Sequence, residues 1–256
     1  MLSALRNNLP KNKPELWRHF PTPFLRHISA LRRREVIADI GESMHMKLDL
    51  RDQICRHLYL YGVYDPFVTS VIRTMLSSGG TFVDVGANIG TYSLLASRIV
   101  GASGQVYAFE PCSRNIARLK ENLALNQITN VRVLTKALSS TSGSLDLFDR
   151  HDPGNSGTTS AIPFEGASKI TVACTTFDEE LADAPIDLIK MDIEGWEDKA
   201  ILGGKKLFGR TRLPAIICEG EIFCQAATLL REFGYSVSAL PRRWYTPANF
   251  IATRHL

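Results

Sequence analysis

Thr81-Phe82-Val83-Asp84-Val85-Gly86-Ala87-Asn88-Ile89-Gly90 is the stretch that decides how the rest of the chain is read. A short apolar run (Phe82, Val83, Val85) passes through Asp84 into a glycine turn, after which Tyr92, Leu95 and Ile99 recur at i, i+3 and i+7. Buried strand, tight turn and one-faced helix follow in that order. Such a unit opens a nucleotide-binding α/β domain. From Gly86 to Gly90 the spacing is Gly-x-x-x-Gly, without the Gly-x-Gly-x-x-Gly that seats a pyrophosphate at a helix N-terminus. The expected ligand is therefore a nucleoside without phosphates.

Downstream, Gln105-Val106-Tyr107-Ala108-Phe109 makes a second strand that ends at Glu110-Pro111. A carboxylate at that place, about 20 residues past the turn, can accept both hydroxyls of a ribose. The other use for Glu110 is to cap the helix that begins near Ser113, carries Ile116, Leu119 and Leu123 on one face and stops near Asn126. Val131-Arg132-Val133-Leu134 is a third strand, and Ala137-Leu138 falls where it can border a base.

Residues 139–176 break the alternation of strand and helix. Leu145–Phe148 and Ile170–Ala173 read as short strands on either side of a Gly, Asn, Ser and Thr-rich loop, which we assign to an acceptor-binding wall or lid. His151, inside the loop, is a candidate base or substrate contact or else a surface residue.

The second informative stretch is Ile186-Asp187-Leu188-Ile189-Lys190-Met191-Asp192-Ile193-Glu194-Gly195-Trp196-Glu197. Strand periodicity puts Leu188, Lys190 and Asp192 on one face, so Lys190, Asp192 and Glu194 crowd the carboxyl end of a central strand. Open α/β sheets bind ligands at that edge. Lys190 and Asp192 can also simply neutralise each other. Carboxylates gathered at a buried strand end are costly, however, unless they serve a site. Pro214–Cys218 is a fifth strand and ends in Glu219-Gly220-Glu221 on the same edge. Phe223, Ala226, Ala227, Leu230 and Phe233 mark a helix stopped by Gly234, and Tyr235–Leu240 with Phe250–Thr253 form two last strands. The fold class is thus α/β: a seven-stranded, mostly parallel sheet with an antiparallel last strand and helices on both faces.

Upstream, Met44–Leu50 alternates apolar and polar residues as a half-buried strand does, and Asp65-Pro66 reads as an N-cap followed by proline at the first helical position. Residues 1–43 form a basic, proline-punctuated extension, read as helical, that includes Arg32-Arg33-Arg34. Its charges are either solvated or meet an acidic membrane surface or partner. The domain proper spans 44–256. With 256 residues, 45% of them apolar, the chain can bury one full-sized core. A net charge of +4 is too mild to argue for nucleic acid. Five cysteines without a Cys-x-x-Cys suit a reducing, cytoplasmic setting, and no apolar run is long enough to span a bilayer.

Val83 to Gly90 with Tyr92-Ser93, then Ala108-Phe109-Glu110-Pro111 with Asn122 and Leu125-Asn126, then Lys190 to Gly195 with Glu197, resemble the FkbM-type S-adenosylmethionine-dependent methyltransferases. The resemblance runs from about residue 45 to the C-terminus. It departs from the family pattern at Trp196 and Gly220, beside the expected acceptor site. It implies O-methylation, often of a sugar hydroxyl in a glycan or natural product, with S-adenosylmethionine as cofactor and no nucleic acid partner. Carried onto this chain, Asp84 with the amides near Gly86, Ala87, Asn88 and Gly90 would meet the methionine tail, Glu110 the ribose and Ala137 the base. Asp192 would be the base or orient the acceptor and also border the cofactor, with Lys190 and Glu194 polarising or binding the acceptor. Trp196, Glu219 and His151 are further acceptor contacts, and Asp192, Glu194 and Glu219 offer oxygens that suit magnesium, although no spacing rule demands a metal. The alternatives are a non-catalytic binding module on this fold, a methyltransferase for another small molecule or nucleic acid, and a nicotinamide dehydrogenase, which lacks its third glycine.

Overall fold

The computed structural model describes residues 35–149, 159–210, 215–243 and 246–254. The chain enters through an antiparallel hairpin, β1 (Glu35–Asp39) and β2 (His45–Asp49). The helical reading of residues 1–43 fails in its last part, because Glu35–Asp39 is a strand. Val36 and Ile37 are β-branched and stiff in a helix, while Ala38 and Met46 face inward and are buried. Gly41, Glu42 and Ser43, at φ 95°, 53° and 57°, close the turn between the two strands. The strand expected over Met44–Leu50 is β2. The arginine run and His151 lie outside the described residues.

Helices α1 (Gln53–Tyr61) and α2 (Pro66–Met75) follow, the latter capped by Asp65, whose carboxylate accepts from the Phe67 and Val68 amides at 2.8 and 3.1 Å. Then come β3 (Thr81–Val85), α3 (Thr91–Val100), β4 (Gln105–Phe109), α4 (Ser113–Leu125) and β5 (Val131–Leu134). An arm of β6 (Ala137–Leu138), β7 (Gly143–Asp149) and β8 (Ser168–Thr175) makes its own three-stranded sheet in the order β6-β8-β7. The chain ends with α5 (Phe177–Leu181), β9 (Leu188–Met191), α6 (Glu197–Leu202), α7 (Lys205–Phe208), β10 (Ala215–Glu219), α8 (Gln225–Glu232), β11 (Ser236–Ala239) and β12 (Asn249–Thr253).

The central sheet has seven strands in the order β11-β12-β10-β9-β3-β4-β5. β5, β4, β3, β9 and β10 run parallel, and β12 is antiparallel to both β10 and β11. Two-residue periodicity divides the core between the faces. Phe82, Val106, Leu188 and Ile217 pack with Ile72, Leu94 and Leu119 on one side. Val83, Ile189 and Ile216 pack with Phe177, Phe208 and Leu230 on the other. Both faces are covered, as a parallel sheet requires. Phe223 departs from its reading as part of an apolar helix face: α8 begins only at Gln225, and Phe223 stands 85% exposed in the preceding turn.

Two asparagines tie this framework to the glycine turn. Buried Asn122 on α4 donates to the Ile89 carbonyl at 2.9 Å and accepts from the Lys47 amide at 2.8 Å. Asn126, one turn later, accepts from the His45 amide at 2.8 Å and returns a bond to the His45 carbonyl at 2.6 Å. The hairpin is thereby fixed to the helix behind the turn.

Candidate functional site

The carboxyl ends of β3, β4, β9 and β10 converge on a cavity of about 280 Å³. Its floor is the glycine turn. Gly86 has φ +79°, and a Cβ there would stand 2.0 Å from the Asp192 carbonyl oxygen, so only glycine lets β3 pass the end of β9 this closely. The Gly86 and Ala87 amides both donate to the Phe109 carbonyl at 3.0 Å, and the Asn88 amide donates to Glu110 Oε2 at 2.8 Å. The turn is therefore braced against β4 by the amides that the sequence offered to a ligand. What it leaves for a ligand is Asn88 Oδ1, buried and without a partner, on a residue held at φ 49°. A buried amide oxygen left unsatisfied costs roughly 1–3 kcal/mol, which a donor on a bound molecule would recover.

Glu110 is 5% exposed and lines the cavity. Oε1 accepts from the Cys112 amide at 3.0 Å and from Asn115 Nδ2 at 3.3 Å. Burial pushes its carboxyl up to about 6, against the pull of those donors. Glu110 does not cap α4: Cys112 holds the N-cap position without a side-chain cap bond, and Glu110 accepts from the Cys112 amide ahead of the helix. Each of its oxygens keeps acceptor capacity toward the cavity.

Across the cavity, Lys190 is 4% exposed, with Nζ 3.1 Å from Asp192 Oδ2 and 5.2 Å from the centroid of the Tyr92 ring. Burial works to strip its proton, but Asp192 and then Asp84 hold the ammonium above the ordinary lysine range. Burial likewise opposes ionisation of Asp192, yet Lys190 and a hydrogen bond from Glu219 keep its carboxyl below the usual range. Glu219 takes the opposite part, raised to about 10 by burial and then by Asp192, and so holds its proton. Glu194 is pushed up to about 7, by desolvation at the cavity mouth and then by Asp192. Oxygens of Asp192, Glu194 and Glu219 lie within 4.8 Å of one another. So many carboxyl groups in one place cannot all ionise, and the proton on Glu219 lets Asp192 do so.

The turn that carries Glu194 is held from both sides. Glu194 has φ 56°, a conformation rarely adopted without glycine. The buried Glu197 carboxylate accepts from the Ile193 amide at 2.8 Å and the Gly195 amide at 3.4 Å. From the arm, Ser160 Oγ donates to the Glu194 carbonyl at 2.9 Å, and Trp196 Nε1 donates to Ser139 Oγ at 3.3 Å. The arm thus meets the acidic turn.

The structure brings Gly86, Ala87, Asn88, Glu110, Ala137, Lys190, Asp192, Glu194, Trp196 and Glu219 into one lining. Gly90 supports it from behind, where its Cβ would meet Leu119 Cδ1 at 2.5 Å. Asp84 is not among the lining residues: it is fully buried beneath the turn, with Oδ2 accepting from Ser93 Oγ at 2.6 Å. Two lining residues, Tyr64 and Tyr92, carry no site signal in the sequence: Tyr92 reads there as an apolar member of a helix face. Asp65-Pro66 signals only the turn after Tyr64.

The methyltransferase FkbM domain model matches residues 84–237, well over half of the chain and all the motifs that line the cavity. Among solved structures, the methyltransferase FkbM from Methylobacillus flagellatus KT is similar at 18% identity and TM-score 0.50, over 70% of this chain and 44% of that one. The chain thus spans less than half the length of that relative. An S-adenosylmethionine-dependent O-methyltransferase from Thermotoga maritima is similar at 15% identity and TM-score 0.49, over 75% of this chain and 66% of that one. Aeropyrum pernix fibrillarin, a structure with natively bound S-adenosyl-L-methionine, is similar at 11% identity and TM-score 0.45, over 72% of each chain. No curated protein matches the chain. With the motif order, the sheet and the family match in agreement, the chain belongs to the S-adenosylmethionine-dependent methyltransferases of the FkbM family.

Proposed function

We propose that the protein methylates a hydroxyl of a sugar, glycan or natural-product acceptor. The observation that carries this reading is the Asp192 carboxylate, kept ionised at the cavity edge by Lys190 at 3.1 Å while Glu219 beside it stays protonated. A hydroxyl becomes a better nucleophile as its proton moves to such a group.

The cavity suits the cofactor. Glu110 has acceptor capacity for a ribose, Ala137 and Leu138 on the cavity wall would border the base, and the unpartnered Asn88 Oδ1 can accept from an ammonium. S-adenosylmethionine supplies a methyl group on a sulfonium, which leaves as a neutral thioether. The chain's own part is orientation and proton transfer. Asp192 accepts the hydrogen bond of the acceptor hydroxyl and draws its proton as the new carbon–oxygen bond forms. Glu194, whose carboxyl is pushed up to about 7, stands at the mouth as a second acceptor of that proton. Lys190 holds Asp192 in place, and Trp196 with the arm limits the shape of what enters. Holding both reactants in line is worth as much as roughly 7–11 kcal/mol of barrier.

The test is an extract of glycans and metabolites incubated with methyl-labelled S-adenosylmethionine and read by mass spectrometry, with Asp192→Ala alongside. The wild type should label a hydroxyl-bearing compound. The variant should lose transfer by about 100-fold or more while still binding the cofactor by calorimetry. Retained turnover in the variant removes the role given to Asp192, and label on carbon or nitrogen alone removes the hydroxyl reading.

A further inference from the structure

Asp84 stands at the head of the motif that identifies the family, yet its side chain is fully buried and is not part of the cavity lining. Its surroundings give it other work. In the parallel pairing of β3 and β9, Asp84 is the register partner of Lys190, so the two side chains rise from adjacent strands on the same face of the sheet. Ser93 Oγ, from the first turn of α3, anchors Asp84 Oδ2 at 2.6 Å, and Oδ1 has no hydrogen-bond partner. Lys190 Nζ reaches forward to Asp192 at 3.1 Å, lying over the Tyr92 ring. Each carboxylate near a buried ammonium favours its charged form against the cost of burial. Here a second carboxyl, Asp84, stands on the neighbouring strand, fixed by its own hydroxyl donor; burial raises it above its usual range, against the pull of Lys190 first and then of Ser93.

We propose that Asp84 is a positioning residue, the rear counter-ion that holds the Lys190 ammonium between β3 and β9 and so aims it at Asp192, without touching the cofactor. The charged and titratable groups around this pair are Asp192 and Glu194 from the turn after β9, Glu219 from β10, Tyr92 from α3, Tyr64 and Asp65 from the turn before α2, and Glu110 from the end of β4, with the Ser93 hydroxyl bonded to Asp84. Among these, Lys190 is the cation on which Asp84 acts. The role deepens the reading of Asp192 given above, but it can be tested without any acceptor.

The experiment combines calorimetry with S-adenosylmethionine and NMR of the full chain labelled at the lysine ε-carbon, the Lys190 signal being assigned by its loss in Lys190→Arg. In the wild type, Lys190 should remain protonated at a pH above that of the exposed lysines. A midpoint below theirs overturns the proposal, and this arm needs no substitution at Asp84. In Asp84→Asn, which keeps size and shape, the Lys190 midpoint should fall by about one pH unit or more. Cofactor affinity should change by no more than about threefold, because no cofactor contact is removed. Asp84→Glu, which restores the charge, should bring the midpoint back toward the wild type. If Asp84→Asn instead loses affinity by about tenfold or more with Lys190 unmoved, Asp84 is a cofactor ligand and the proposal fails. Neither readout depends on methyl transfer, so failure of the hydroxyl reading would leave both results standing.

Discussion

Glu219 shows how one proton organises the acidic edge. Its carboxyl is held at about 10, against 4.5 in the unfolded chain, so across that window the folded protein binds a proton that the unfolded one has released. Stability linked to Glu219 is therefore complete below about pH 4.5 and declines as pH rises toward the folded value. Glutamine has no proton to lose and can still donate toward Asp192. Glu219→Gln should therefore gain thermal stability relative to the wild type on going from about pH 5 to about pH 9, each 1 kcal/mol appearing as roughly 2–4 °C in a chain of this size. Melting curves of both proteins across that range check it, and parallel pH profiles would show that Glu219 ionises normally. The members of this edge were legible in the sequence, because Lys190, Asp192, Glu194 and Glu219 end neighbouring strands. Which of them keeps its proton was not, since that depends on separations that only the folded sheet sets. Asn88 was legible as a turn residue. The freedom of its Oδ1 follows from its amide being spent on Glu110, a contact that no spacing announces.

At the scale of elements, the junction of β3 and α3 rests on two glycines that differ in what surrounds them. The methyl of Gly86→Ala would run into backbone, the Asp192 carbonyl oxygen at 2.0 Å, whereas that of Gly90→Ala would meet the ends of Leu119 and Leu94 at 2.5 and 3.0 Å. Side-chain ends can turn aside, but the end of a central strand cannot. Gly86→Ala should cost about 2–4 kcal/mol and abolish cofactor binding, while Gly90→Ala should cost less and retain measurable affinity. Urea denaturation with calorimetry on both variants decides the order, and equal losses would contradict it. The elements themselves followed well from periodicity wherever a strand is apolar on both faces, as β3, β9 and β10 are. β1 escaped because Ile37, exposed on its outward face between Glu35 and Asp39, breaks the alternation of polar and apolar residues. β6 is only two residues long and exists through its pairing with Cys174 and Thr175, which lie far along the chain.

For the whole molecule, the cavity draws on four strand ends of one sheet whose two faces carry separate apolar cores. A ligand that joins Glu110 to the Lys190 edge would cross-link both halves of the sheet. S-adenosylmethionine at about 100 times its dissociation constant should add about 2.7 kcal/mol, a rise of roughly 5–10 °C in melting temperature. Asp192→Ala should keep that rise and Gly86→Ala should lose it, as a dye-based melting series can show.

The arm of β6, β7 and β8 leaves and rejoins the domain at almost one point. Its first residues, Ala137 and Leu138, pair directly with its last, Cys174 and Thr175. A segment whose two ends are neighbours behaves as a cassette: its length and contents can be exchanged without moving either attachment point. Since this cassette touches the acidic turn through Ser160 and Ser139 and gives Ala137, Leu138, Leu145 and Leu147 to the cavity wall, a change in its length or contents can reshape that wall and leave the glycine turn and Glu110 in place.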